Sequence, residues 1–241
     1  MALLTTTVER LERGQAEGYL AGIVYMAPEK TVNGLNVCKF ATNECKRDCL
    51  YTSGRGRFTN VQTARINRTV LFRDNPEVFY KQLTDEIDAL VRKAAKQGLK
   101  PAIRLNGTSD IDHRNYIKWY NGVHRAGSVP IQFYDYTKRP DICLKQMDHK
   151  NYHLTYSHGG LDRVSVSLRH LQQGFNVTVV FAVKKGKPLP KTWNGYRVID
   201  GDLHDLRFLD PMGVVVGLRA RGDATKTVPV INGFVNPDLP T

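Results

Sequence analysis

Short runs of β-branched and aromatic residues recur along the chain at intervals of roughly 20–30 residues, with helix-like segments between several of them. Strands that alternate with helices are typical of parallel βαβ units, whose strands are buried on both faces. The pattern predicts about seven such strands. They cover residues 19–25, 102–105, 131–136, 152–156, 177–183, 196–199 and 214–218.

The clearest helix begins at Asn75-Pro76, because asparagine is a favoured N-cap residue and proline is favoured in the first turn. Apolar residues then recur at helical spacing until Gly98 ends the helix. The segments 188–193 and 203–211 look too short and polar for helices. Further helices are predicted at residues 5–18, 59–69, 116–126 and 164–173. The predicted fold class is therefore α/β: a partial or irregular (β/α) barrel of mostly parallel strands, with an N-terminal cysteine-bearing loop.

The length of 241 residues suits one large domain, and no linker rich in glycine, proline or serine divides the chain. We predict a single domain over residues 1–241, with a metal-binding loop at residues 27–58 inside it. No apolar stretch approaches the ~20 residues that span a bilayer, and the N-terminus lacks a secretory signal. We therefore expect a cytoplasmic protein with no membrane partner.

Three of the four cysteines, Cys38, Cys45 and Cys49, lie close together, with six and then three residues between them. Thiolates are soft ligands that favour iron–sulfur clusters and zinc. The spacing differs from the paired knuckles of structural zinc sites and from ferredoxin motifs. It is closer to three-cysteine loops that hold a [4Fe–4S] cluster with one iron free of cysteine. We predict such a cluster, with zinc as the alternative cofactor and unligated thiols as a third interpretation.

The fourth cysteine, Cys143, lies far from the other three in the sequence, just after the predicted strand at 131–136. That position allows it to lie at the same end of the sheet as the other cysteines. However, Ile142 and Leu144 flank it as they would in a core helix. We expect Cys143 not to ligate the metal.

Polar residues follow almost every predicted strand at its carboxyl end. In parallel α/β folds the loops at these ends converge and bind ligands. Carboxylates, hydroxyls and cations gathered there would surround a small polar or anionic ligand. The candidate pocket residues are Arg104, Asn106, Asp110, Asp135, Lys138, Ser157, Asp200, Asp202 and Arg219.

One of these loops carries three carboxylates, Asp200, Asp202 and Asp205, together with His204. Carboxylate oxygens are ligands of magnesium and calcium, although the loop lacks the spacing of an EF-hand. An enzyme with a divalent metal on the Asp200–Asp205 loop, and with inert cysteines, is therefore an alternative hypothesis.

The net charge of +12 and the sequence pI near 9.6 favour polyanionic partners. A nucleic-acid-binding protein, whose cysteines hold structural zinc and whose arginines contact phosphate, is thus a further hypothesis. A basic surface with no nucleic-acid role explains the same charge. The densest group of arginines follows the cysteines and consists of Arg55, Arg57, Arg65, Arg68 and Arg73.

Several sequence blocks resemble a family of phage-encoded proteins that also occurs in bacterial genomes. The similarity runs from about residue 25 to residue 222. It implies a viral or virus-derived protein of the bacterial cytoplasm, with the three cysteines as iron–sulfur ligands. The blocks include Asn36-x-Cys38-x6-Cys45-x3-Cys49-Leu-Tyr-Thr-x-Gly-Arg-Gly, Arg104-Leu-Asn-Gly-Thr-Ser-Asp110, Gln132-Phe-Tyr-Asp-Tyr-Thr-Lys138 and Val215-Val-Gly-Leu-Arg-Ala220.

A looser likeness, at the level of the fold, is to radical S-adenosylmethionine enzymes, which place a three-cysteine loop after the first strand of a partial (β/α) barrel. The loop here also follows the first predicted strand. Those enzymes usually space their cysteines more closely, and they place an aromatic residue where this chain has Asp48. As an analogy at the level of the fold, the likeness offers S-adenosylmethionine as a further candidate cofactor. The expected redox or ligand-activating role belongs to the predicted [4Fe–4S] cluster itself.

Overall fold

A computed structural model describes residues 1–141 and 151–239 of the chain. Within this part, ten strands form one sheet. The strands are β1 (Leu4–Thr5), β2 (Tyr19–Val24), β3 (Lys100–Arg104), β4 (Gln132–Thr137), β5 (Tyr152–Ser157), β6 (Val177–Phe181), β7 (Thr192–Trp193), β8 (Tyr196–Asp200), β9 (Val215–Arg219) and β10 (Val235–Asn236). Their order in the sheet is β1-β2-β3-β4-β5-β6-β9-β8-β7, with β10 beside β6.

The strands from β2 to β8 along this order run parallel to their neighbours. The edge strands β1 and β7 are antiparallel to β2 and β8. β10 pairs with the last residues of β6, Val180 and Phe181, beyond the point where β6 pairs with β5. The mostly parallel α/β architecture is thus as predicted. Because the described strands leave two open edges, the partial (β/α) barrel stays a prediction.

The helices are α1 (Glu9–Ala16), α2 (Asn43–Arg47), α3 (Thr59–Asp74), α4 (Pro76–Lys96), α5 (Arg114–Trp119) and α6 (Val164–Gln172). α4 begins at Pro76 after Asn75, as predicted. Just beyond its end, Gly98 has a φ of 67°, a left-handed conformation that glycine adopts without steric cost. α5 continues into a π-helical turn at Tyr120–His124.

The two faces of the sheet are covered by different elements. Helices α4, α5 and α6 cover one face, where Ile87 of α4 and Phe133 of β4 are fully buried in the larger core cluster. The opposite face, which we name the α1 face, packs Tyr134 of β4 near Leu11 of α1 and Leu206 of the loop after β8. Burying a side chain of this size contributes roughly 1.5–3 kcal/mol, so both layers stabilise the sheet.

All seven predicted strands are confirmed, with ends that differ by at most two residues from the prediction. The predicted helix at 5–18 was too long at its start. Leu4 and Thr5 instead pair with Val24 and Ile23 as an edge strand, and α1 begins only at Glu9. A two-residue strand of this kind depends on a distant partner and leaves no periodic signal in its own sequence.

Candidate functional site

The cysteine loop follows β2 and is tied to the loops after two other strands. The Cys38 thiol donates to the Thr108 carbonyl, after β3, with a sulfur–oxygen distance of 3.7 Å. Cys45 lies in α2, where its N–H donates to the Thr42 side chain at 3.1 Å. The Thr42 hydroxyl in turn donates to the Gly159 carbonyl, after β5. The cysteines therefore lie at the carboxyl end of the parallel sheet, the end at which parallel α/β folds bind their ligands.

The three thiols converge on one place. Burial raises the pKa of Cys38 to about 12, and repulsion from Cys49, Asp110 and Cys45 contributes to the rise. Burial also raises the pKa of Cys49, and Cys45 adds to that rise. The three thiols are therefore close enough for their charges to interact. All three side chains are half-buried and free of disulfide bonds.

Glu44 anchors the helix that carries Cys45. Its carboxylate accepts hydrogen bonds from the backbone N–H of Leu161 at 3.2 Å and of Phe234 at 2.8 Å. Gly160 leaves room for this carboxylate, because a Cβ at that position would lie 2.2 Å from a Glu44 oxygen. The loop after β5 thus holds α2, and so does the segment after β9 (residues 220–239), which we name the C-terminal segment.

Asp48, directly before Cys49, ties the other end of the loop to the C-terminal segment. Its buried carboxylate accepts hydrogen bonds from the Thr227 hydroxyl at 2.6 Å and from Arg47 at 2.8 Å. These bonds lower the pKa of Asp48 although burial opposes the shift. Asp48 therefore carries a charge that fixes the backbone beside Cys49.

Lys138 brings a buried positive charge to the cysteines. Only 9% of the residue is exposed, and its ammonium donates to Ser157 Oγ at 2.7 Å and to the carbonyls of Ser157 and His158. The Asp110 carboxylate accepts from the Lys138 backbone N–H at 2.9 Å instead of from the ammonium. Among the described residues the ammonium makes no ion pair, and its charge lowers the pKa of Cys49.

Arg65, on α3, is a second buried cation at this place. It is 7% exposed, and its Nη1 donates to the Tyr51 carbonyl at 3.2 Å. The guanidinium lies 5.1 Å from the ring centre of Tyr25 and 5.3 Å from that of Tyr51. In the part of the chain that the structure describes it has no carboxylate partner, and its charge lowers the pKa of Cys49.

The arginines after the cysteines do not form one exposed surface. Arg65 is buried, and Arg68 donates to the backbone carbonyls of Ala2 and Tyr25. Arg55 and Arg57 are exposed. The fifth, Arg73, is bound to the side chain of Asp74, which neutralises its charge. This arrangement gives a phosphate backbone fewer free cations than the sequence alone indicates.

Arg104 lies deeper on the α1 face of the sheet. It forms an ion pair of 3.0 Å with Asp205, which is fully buried in the loop after β8. Its guanidinium lies 4.5 Å from the ring centre of Tyr136. Of the predicted pocket residues, Arg104, Lys138 and Ser157 therefore line the side of the sheet below the cysteines.

Asn106 and Asp135 connect strands on the opposite face. The Asp135 carboxylate accepts hydrogen bonds from Asn106 N–H at 2.7 Å and from the Tyr152 hydroxyl at 3.0 Å. Burial raises the pKa of Asp135 to about 7. These contacts join the segment after β3 to the middle of β4 and to the first residue of β5, so both residues hold neighbouring strands in register.

Asp200, Asp202 and Arg219 form a separate, charge-balanced group, which we name the Asp200 cluster. Arg219 pairs with Asp200 at 2.9 Å and with Asp202 at 3.1 Å. Arg221 also belongs to it and pairs with Asp202 at 2.9 Å. The third carboxylate of the predicted divalent-metal loop, Asp205, is bound by Arg104. Arginines thus occupy the oxygens that a magnesium or calcium ion would need.

No group of three or more histidine, cysteine or acidic side chains among the described residues is arranged to hold a metal ion. Cys143 lies outside the described residues. The described helices include none long and apolar enough to cross a bilayer.

Several residues of the site were not predicted from the sequence as part of it. Glu44 and Asp48 had a local signal, since each directly precedes a cysteine of the loop. Arg65 had none, because α3 is polar around most of its circumference and its buried side is not marked by apolar residues. The Arg65 side chain points inward because it contacts the rings of Tyr25 and Tyr51. The residue pattern of a helix does not predict contacts with residues outside that helix.

No curated protein and no solved structure matches the chain. A family model does match, over residues 2–233, and its description is Gene product 88. The match covers nearly all of the described residues, including the cysteine loop, the strand ends and most of the C-terminal segment. The chain therefore belongs to the phage-associated Gene product 88 family.

Proposed function

We propose that this protein holds a [4Fe–4S] cluster on Cys38, Cys45 and Cys49, beside a polar pocket at the carboxyl ends of the strands. The proposed role is electron transfer, or the binding and activation of a small polar or anionic ligand. The proposed place of action is the reducing cytoplasm of a bacterial host, where clustered thiols bind metals more often than they pair.

The observation that carries this proposal is the convergence of three soft ligands beside two buried cations. Burial disfavours the thiolate form of Cys38 and Cys49, which is the form that binds metal. The positive charges of Lys138 and Arg65 lower the pKa of Cys49 and so favour its thiolate form. Buried charges without counter-ions are costly, and inert thiols give no reason to keep two of them here.

Zinc is the alternative occupant of the three thiols. A tetrahedral zinc site with bonds of about 2.3 Å holds its sulfurs about 3.8 Å apart. In a cluster each cysteine binds a different iron atom, so the sulfurs stand further apart than around one ion.

When bound, the cluster supplies one-electron chemistry and an iron with a position free of cysteine. The residues of this chain stabilise its ligands. Lys138 and Arg65 place positive charge beside Cys49, which favours the thiolate and raises the potential of a bound cluster. Glu44 and Asp48 hold the backbone of the loop, so that the three sulfurs keep their spacing.

The curvature of the sheet into a partial barrel is part of the same proposal. Leu206 and Phe208, in the loop after β8, pack against the α1 face of strands at the other end of the sheet. Phe208 lies 5.0 Å from the ring of Tyr19 and 5.5 Å from the ring of Tyr134. Contacts between the two ends of the strand order support a curved sheet whose carboxyl ends surround one pocket.

Anaerobic purification tests the proposal. The wild-type protein should be brown, with broad absorption at roughly 400 nm that is typical of thiolate-bound iron. Cys45→Ser should lose this absorption and its iron. A colourless protein that carries one equivalent of zinc after anaerobic reconstitution with iron and sulfide contradicts the proposal.

Cys143→Ser is the matched control, because it removes a thiol without touching the three-cysteine loop. It should keep the colour and the iron content of the wild type. Loss of the colour in this variant would instead make Cys143 the fourth ligand and leave no iron open to a small ligand.

A further inference from the structure

Of the buried side-chain atoms that lack a hydrogen-bond partner within the described part of the chain, three belong to residues on the α1 face or beside the cysteine loop. They are Nε of Arg65, Nε of Arg104 and Oγ1 of Thr178. Their residues are only 7%, 8% and 4% exposed. Buried polar groups are normally paired, since an unmade hydrogen bond costs about 1–3 kcal/mol. Each of these atoms can donate a hydrogen bond to an acceptor that the chain itself does not provide.

The strand register places two of these residues on the same face of the sheet. Arg104 follows Ala102 of the α1 face by two residues, so it shares that face. Tyr134 of the α1 face pairs with His153, and Ser157, four residues further along β5, pairs with Thr178. Thr178 therefore also lies on the α1 face, beside the serine that binds Lys138.

The third residue, Arg65, reaches the same side of the sheet from α3. Its guanidinium lies over Tyr25, which directly follows β2, and Tyr25 is near enough to Arg104 to interact with its charge. Arg104 in turn lies over Tyr136 of β4. Guanidinium and phenol groups thus alternate from the edge of the cysteine loop to the middle of the sheet.

The donors in this region share one chemical preference. Arg65 and Lys138 have no ion-pair partner in the part of the chain that the structure describes, and Thr178 adds a neutral hydroxyl. Arg104 uses one edge for Asp205 and keeps its Nε free. The Lys138 ammonium already donates its three N–H groups within the chain, so it offers charge alone, whereas Arg65, Arg104 and Thr178 each keep a free donor. Two cations without an ion pair and three free donors favour an oxyanion, which both balances charge and accepts hydrogen bonds.

We propose that the α1 face below the cysteine loop binds the oxyanion group of a small molecule, a carboxylate or a phosphate, between Arg65, Arg104, Lys138 and Thr178. The role of the bound ligand rests on the proposed function, because this site would present the ligand to Cys38, Cys45 and Cys49, which we name the cysteine centre. The binding of the ligand does not rest on the proposed function, because none of the donors of the site is a cysteine.

Isothermal titration calorimetry with inorganic phosphate and, separately, with succinate tests the site and tells the two oxyanion sources apart. One of them should bind with one site per chain. Arg65→Met should weaken binding by about ten- to one-hundred-fold, the loss expected for one charge-assisted hydrogen bond. Lys138→Met should weaken it by a smaller factor, because the three N–H groups of Lys138 are bound within the chain and only its charge acts on the anion. Arg92→Met, on the exposed side of α4, is the matched control and should bind like the wild type.

Thr178→Val provides a variant that keeps the shape of the side chain and should fold. Removing an unpartnered hydroxyl from a dry core raises the stability and leaves anion affinity unchanged. Removing one that binds the ligand weakens affinity by at least about three-fold, the lower end of a neutral hydrogen bond's effect. A more stable Thr178→Val with unchanged affinity, or no binding of either anion to the wild type, overturns the proposal.

The titration is repeated on the metal-free Cys38→Ser/Cys45→Ser/Cys49→Ser variant, with iron measured independently in the wild type. Anion binding should persist in this variant. If iron is absent from the wild type but the anion binds, the cluster proposal fails and the anion site stands. If iron is present and neither anion binds, the anion site fails alone.

Discussion

The Asp200 cluster and the cysteine centre both lie at carboxyl ends of strands, but they differ in charge balance. In the Asp200 cluster, two carboxylates meet two arginines, and each charge has its partner. Beside the cysteines, neither the Lys138 ammonium nor the Arg65 guanidinium forms an ion pair with a carboxylate among the described residues, and only Asp110 is near enough to Lys138 for the two charges to interact. A group whose charges are balanced needs no ligand, and we interpret it as structural. An unbalanced group indicates that a ligand completes it.

The Arg104–Asp205 ion pair is also charge-balanced, and breaking it should have the largest effect on stability. Asp205→Asn leaves the Arg104 charge buried without its partner, and the free energy of unfolding should fall by about 3–5 kcal/mol. Urea unfolding of the two proteins measures this. The double variant Arg104→Leu/Asp205→Leu should recover much of the loss. A single variant as stable as the wild type would show that the pair is not buried in solution.

Glu44→Ala tests whether the C-terminal segment keeps the cysteines in place. Loss of the two hydrogen bonds from Leu161 and Phe234 should loosen α2 and raise the rate of iron release to a chelator by about ten-fold or more. Glu12→Ala, on the exposed side of α1, is the matched control. Equal release rates for all three proteins would mean that Glu44 does not position Cys45.

Arg219→Met tests the structural interpretation of the Asp200 cluster. Asp200 and Asp202 lose a shared partner, so the free energy of unfolding should fall by about 1–2 kcal/mol. Iron content and anion affinity should stay at the wild-type level, in contrast to Lys138→Met. Loss of iron in Arg219→Met would remove the distinction between the two regions.

The pH dependence of stability gives the smallest effect. Burial raises the folded pKa of Asp135 to about 7 from its usual 3.8, so the folded state holds a proton that the unfolded state has released. This contribution is complete below pH 3.8 and is lost as the pH rises through 7. Between roughly pH 6 and 8 the loss is on the order of 1 kcal/mol.

Urea unfolding at several pH values measures that slope, with Asp135→Asn as the comparison. The variant should lack the downward slope, because it has no proton to release at this position. An identical slope in both proteins would assign the pH dependence to another group.

The sequence was most informative where one element determines its own structure. The strand runs and the start of α4 at Pro76 follow from local periodicity and capping, and both were predicted. The cysteine spacing led to a predicted metal-binding loop, and that ligand set stays a prediction. Long-range partners were not accessible. The pairing of Asp200 with Arg219 depends on β9 lying beside β8, and the strand order cannot be read from either strand alone.

The clearest difference between prediction and structure is Arg65. It was grouped with the surface arginines because nearby residues are basic, yet it is buried against Tyr25 and Tyr51. The positive charge of Arg65 therefore lies in the interior of the site, whereas the sequence had placed it on a phosphate-binding surface. This change weakens the nucleic-acid hypothesis and strengthens the one in which the cysteines hold an anionic centre.

Metal and sulfide analysis of the anaerobically purified wild-type protein tests the central claim most directly. Our account predicts about four iron atoms and about four acid-labile sulfides per chain, together with an EPR signal after reduction by dithionite. One zinc ion per chain with no sulfide and no EPR signal would contradict it.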